Sequence, residues 1–228
     1  MGTSRPGVAT ERTEGPHTVV VFASPPTLLA LHAVRVLGAP TVEAAAALYD
    51  LDPQATGEDL LDAQAVGWIT KHDWFGTITW SLTSRGKDEN ERQLADELDK
   101  AGARTTVATA HQAFLPLNRR LGSACTRWQL NAHLDDRVNA TVLRELTSIA
   151  KGVDGVCSTL SSALDRFSVH APRFHEALDR VLGGDSAWLD APDRPSCHLV
   201  WISLHEDLLA TLGIERGTDD LEVTTPTN

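Results

Sequence analysis

Trp68-Ile69-Thr70-Lys71-His72-Asp73-Trp74-Phe75-Gly76-Thr77-Ile78-Thr79-Trp80-Ser81-Leu82-Thr83-Ser84-Arg85-Gly86-Lys87 changes the period of the chain, and its reading decides the fold. Ile78, Trp80 and Leu82 alternate with Thr77, Thr79 and Ser81, the period of two expected of a strand with one buried face. Trp68–Asp73 supplies the partner strand and Trp74-Phe75-Gly76 the connection, with Gly76 in or beside the turn. Thr83 stands where a helix N-cap belongs, ahead of a long polar helix running to about Ala101 with Leu94 and Leu98 on its apolar stripe. Upstream, Ser24-Pro25-Pro26 opens a helix with Ser24 as the expected cap. Leu28, Leu31, Val34 and Leu37 repeat at helical spacing until Gly38. Thr41 caps a second helix, Val42 to Tyr49. Asp52 caps a third, opened by Pro53 and ended by Gly67, with Leu60, Leu61 and Ala65 expected to face inward.

Helix, helix, helix, hairpin, helix is the order of a winged helix-turn-helix. Trp80-Ser81-Leu82-Thr83-Ser84-Arg85-Gly86-Lys87 resembles the tyrosine-x-leucine-threonine-x-x-glycine-arginine passage from wing to helix in transcriptional regulators of the multiple-antibiotic-resistance (MarR) type. The resemblance covers residues 25–101, about a third of the chain. It implies a homodimer that binds double-stranded operator DNA, with the third helix in the major groove and the wing on backbone or minor groove. On that basis Gln54, Thr56 and Gln64 are the candidate base readers. Lys71, His72, Arg85 and Lys87 are the candidate phosphate contacts, with Arg35 adding to them.

Charge argues the other way. Lys and Arg total 20 against 31 Asp and Glu, a net charge of −11, so a broad basic surface is excluded. The third helix carries Glu58, Asp59 and Asp62 and has no Lys or Arg. Carboxylates near phosphates oppose binding. The alternative is a winged-helix module that binds protein instead of DNA, or an accessory subunit, using the acidic helix and the wing-tip aromatics Trp74 and Phe75. Those aromatics either contact a partner or fold back on the first and fourth helices.

From residue 104 the chain reads as helix throughout, passing Pro116 where a kink is expected. Val142, Leu146, Ile149, Val153, Val156, Leu160, Leu164 and Phe167 step by three or four, a nearly continuous seam that suits either an internal core or a second chain. Gly152 and Gly155 lie inside it, which close helix–helix approach could offset. The fold class is therefore mainly α: a winged helix-turn-helix (helices plus a two-stranded wing) followed by an all-helical domain. The expected boundaries are a flexible arm at 1–23, the winged head at 24–103, a helical effector and dimerisation domain at 104–217, and an acidic tail at 218–228.

The last helix brings His198, Trp201 and His205 near one face, and Cys125 and Trp128 can approach from the helix before the seam. These five form the candidate pocket for an unknown small-molecule effector, with an ordinary packed core as the other reading. The same region carries a weaker third option, an enzyme or accessory subunit. Catalytic signatures are otherwise missing: there is no phosphate-binding glycine loop and no nucleophile elbow. No metal site is expected, because His198 and His205 stand two helical turns apart, roughly 10.5 Å, and no cofactor is expected either. The 3 cysteines are far apart, which argues against a disulfide framework. No run reaches the roughly 18 apolar residues of a membrane helix, so the expected location is the cytoplasm.

Overall fold

A computed structural model describes residues 21–131 and 135–217. The acidic tail and residues 1–20 of the expected arm lie outside the described residues. The elements are α1 (Pro26–Leu37), α2 (Val42–Leu48), α3 (Pro53–Ala65), β1 (Ile69–Trp74), β2 (Thr77–Leu82), α4 (Ser84–Lys100), α5 (Arg104–Asn131), α6 (Asp136–Ser161), α7 (His170–Leu182) and α8 (Cys197–Leu212). Short 3-10 turns at Asp165–Val169 and Ser186–Trp188 flank α7. The protein is thus mainly helical with one antiparallel hairpin.

Local chemistry explains most boundaries. Thr41, Asp52, Thr83 and Ser196 each accept a backbone N–H of the helix they open, satisfying donors that have no intrahelical partner. Asp135 does the same for α6, bonding the N–H groups of Arg137 and Val138. Ser24 does not cap α1. Pro25 takes the cap position and Ser24 sits one residue too early. In the hairpin Ile69 pairs with Leu82 and Trp74 with Thr77. Phe75 (φ 53°) and Gly76 (φ 87°) both adopt positive φ, as a two-residue turn matching strand twist requires.

The motif around Gly86 is a three-way junction. The Trp68 carbonyl accepts the Thr83 N–H at 2.9 Å and its hydroxyl at 3.0 Å, and that hydroxyl oxygen in turn accepts the Gly86 N–H. A Cβ on Gly86 would sit 1.8 Å from the Trp68 carbonyl oxygen. Only glycine lets the first turn of α4 lie this close to the base of the hairpin.

Leu31, Val34, Leu60, Ala63, Ile69 and Trp80 form the small core beneath α3 and the hairpin. Leu61 is 53% exposed and Ala65 is also exposed, against the expected inward pair. Adjacent positions on a helix diverge by about 100°, and Leu60 takes the inward place. The larger core lies between α5, α6, α7 and α8. All eight seam residues are buried, but the helix ends at Ser161, and Leu164 and Phe167 reach the core from the 3-10 turn that follows. The seam packs within the chain, chiefly against α5.

The two seam glycines differ. A Cβ at Gly152 would stand 2.8 Å from the Leu117 methyls, whereas nothing lies within 4 Å at Gly155. Gly155→Ala should therefore raise stability by about 1 kcal/mol. Gly152→Ala should forfeit that gain, because Leu117 must move. Urea unfolding midpoints of the two variants provide the comparison.

Within residues 21–23, the described part of the expected arm, Phe22 is held to the body of the protein. The Phe22 N–H donates to the Ala163 carbonyl, and the Asp165 N–H donates to that of Phe22. This bridge fixes the chain before α1 to the end of α6. Among the described residues no single helix is long and apolar enough to cross a membrane.

Candidate functional site

Helical spacing sets the outer face of α3. Thr56, Leu60 and Ala63 point into the core, leaving Gln54, Glu58, Leu61, Asp62 and Gln64 exposed. Thr56 is only 2% exposed and its hydroxyl has no partner; burial removes it as a base reader. Gln54 donates to Glu58 at 3.4 Å. Burial, with Asp62 and Glu58 beside it, raises the Asp59 carboxyl above its usual range. A rise of that kind is what carboxylates experience when no cation offsets them.

The expected phosphate contacts do not form one patch. Lys71 and His72 are adjacent on β1, so their side chains leave opposite faces of the hairpin. The Lys71 ammonium lies 5.8 Å from the Trp80 ring centroid, and His72 bonds Ser81 at 2.7 Å. Arg85 and Lys87, two positions apart on α4, diverge similarly. Lys87 approaches Glu91 at 3.9 Å. Arg35 donates to Glu91 and Glu206 from a side chain 6% exposed. At the hairpin tip Trp74 is 65% exposed and Phe75 fully so. They do not fold back on α1 or α4. A bulky residue at positive φ costs of order 1–3 kcal/mol, so the tip holds a strained aromatic in water.

Three of the five residues of the expected effector pocket pack as core, and His198 and His205 are half-buried beside them. Cys125, Trp128 and Trp201 are buried in the large cluster. Trp201 stacks on Phe114 at 4.7 Å, meets Phe174 edge-on at 5.9 Å, and donates its indole N–H to Asn118 at 2.7 Å. His205 lies 5.2 Å from the same Phe114 ring, and His198 is half-buried. These ring contacts hold Trp201 in the core. Burial pushes Cys125 up to about 11, and Cys157 and Cys197 up to about 12, so none is a poised thiolate.

A polar junction not anticipated from the sequence lies where α1 and α4 meet α7, α8 and the 3-10 turn before α7. Asp207 of α8 is fully buried. It accepts from His32 of α1 at 3.0 Å, from His170 of α7 at 2.9 Å, and from Arg166. Arg166 also donates to Glu97 of α4 at 3.0 Å and to Thr211 at 2.6 Å. Burial alone would raise the Asp207 carboxyl. The Arg166 guanidinium, His32 and the histidine hydrogen bonds outweigh it and hold the group well below the usual carboxylate range. A clue was present: His32 stands among the apolar residues Leu28, Leu29, Leu31, Ala33 and Val36 of α1, and Asp207 follows Leu204 and precedes Leu208 on the inward stripe of α8. Among the described residues no three His, Cys, Asp or Glu side chains are placed to hold a metal ion. The chain matches no protein-family model, no curated protein and no solved structure.

Proposed function

We propose that residues 26–100 form a winged-helix head that docks a protein partner, in a binding role and not a catalytic one. One observation carries this reading: the exposed side of α3 is acidic and apolar (Glu58, Leu61, Asp62), with no Lys or Arg anywhere on the helix. Non-specific DNA affinity comes from cations that displace counterions from phosphates, and the reading helix offers none. The strained tip, Trp74 and Phe75, adds exposed aromatic area of the kind enriched at protein interfaces. The partner surface that fits is basic with an apolar socket.

A second reading is favoured by the wing motif, Trp80 to Lys87, and by the exposed Arg85 and Lys87 at the start of α4. It is a homodimeric, effector-responsive regulator that contacts operator DNA through Gln54, Gln64, Lys71, His72, Arg85 and Lys87. One pair of measurements separates the two. Fluorescence anisotropy of random and promoter-derived duplexes at low salt should show no binding by the native chain. A photo-crosslinker placed by Phe75→benzoylphenylalanine should trap, in the cells of origin, an adduct that protease degrades and nuclease does not. Duplex binding that weakens uniformly with Lys71→Ala, Arg85→Ala or Lys87→Ala, with a flatter salt slope, would overturn the protein-docking reading for the DNA one.

A further inference from the structure

A cleft of about 580 Å³ opens where the turn between α1 and α2 meets α7, α8 and the Pro192–Pro195 segment. Its size falls within the roughly 300–1,000 Å³ usual for small-molecule sites. Leu37, Ala44, Leu199 and Val200 make its walls apolar, and two guanidinium groups, Arg173 and Arg194, also line it. They are not equivalent. Arg194 is neutralised by Asp193, which accepts from two of its nitrogens at 2.9 and 3.0 Å. Arg173, on α7, is partly buried, and among the described residues no carboxylate lies within 4.0 Å of it; Glu176 acts on it only at longer range. Burial accordingly lowers it from the usual guanidinium range. An unpaired, half-desolvated cation against apolar walls is a site short of one anion.

We propose that this cleft binds a small organic anion, one acidic group on an apolar body, with Arg173 as partner of the acidic group and the walls holding the body. The ligand would bridge the α1–α2 turn and α8, and so tie the head to the C-terminal helices. The site does not depend on which macromolecule the head docks.

Two dyes of one shape test it on the full chain: 8-anilinonaphthalene-1-sulfonate and its uncharged counterpart N-phenyl-1-naphthylamine. The sulfonate should bind the native chain and raise its melting midpoint. Arg173→Met should weaken the sulfonate about tenfold or more, the loss of one charge-assisted contact. It should leave the uncharged dye within about twofold and not lower the midpoint, since Arg173 makes no ion pair to lose. Ala44→Phe, at an exposed position of α2 on the cleft wall, should weaken both dyes. The proposal is overturned if the sulfonate does not bind, if neither substitution affects it, or if Arg173→Met weakens both dyes equally.

Discussion

Asp207→Ala is expected to cost about 3–5 kcal/mol, the range for breaking a buried ion pair from one side. The carboxylate accepts from three elements: α1 through His32, α7 through His170 and the 3-10 turn before α7 through Arg166. Without it a fully buried guanidinium keeps Glu97 and Thr211 but loses its third partner, and two imidazole N–H groups lose theirs. For a chain of this size the loss corresponds to a fall of roughly 6–20 °C in melting midpoint. Adding Arg166→Met should not restore it, because Glu97 would then be buried without its cation; Arg166→Met with Glu97→Gln removes both charges and should restore part of the loss.

The same group predicts a pH dependence. Its folded pKa is depressed below the ordinary 3.8. Its contribution is therefore fully present above that value and is lost as pH falls below it, where the unfolded chain takes up the proton first. Melting midpoints from about pH 2 to 7 should show an acid limb that Asp207→Asn makes shallower. An equally steep limb in the variant would mean that other carboxylates dominate acid unfolding.

Gly86→Ala should be the most damaging change in the head, at about 3 kcal/mol, the upper end for overpacking. The new methyl would meet a backbone carbonyl at 1.8 Å. A side chain could rotate away; the Trp68 carbonyl is held by two hydrogen bonds from Thr83. The first turn of α4 must then lift from the hairpin. Amide hydrogen exchange should accelerate in β1 and β2 while α5 and α6 keep their protection, because the two regions belong to different cores. Uniform acceleration across both would show the junction to be coupled to the whole fold.

Much of the architecture could be read from the chain itself. The alternation at Thr77–Leu82, the caps Thr41, Asp52 and Thr83, and the three-and-four spacing from Val142 act within a turn or a strand, so their consequences are local. Where local rules compete the structure took another course. Pro25 displaced Ser24 as cap. Leu60 took the inward place that Leu61 could not share. The helix stopped at Ser161 although its apolar pattern ran on to Phe167, because a 3-10 turn continues the same stripe. The division of Lys71 from His72 was available in advance, since neighbours on a strand always diverge.

Which side chains converge is another matter. His32 and Asp207 are 175 positions apart, and Arg173 faces a cleft whose other wall begins at Leu37. Residue types and spacing along the chain decide helices, caps and the hairpin. The polar junction and the unpaired Arg173 arise only when α7 and α8 settle against α1, α2 and α4, because burial and pairing depend on every element that packs there.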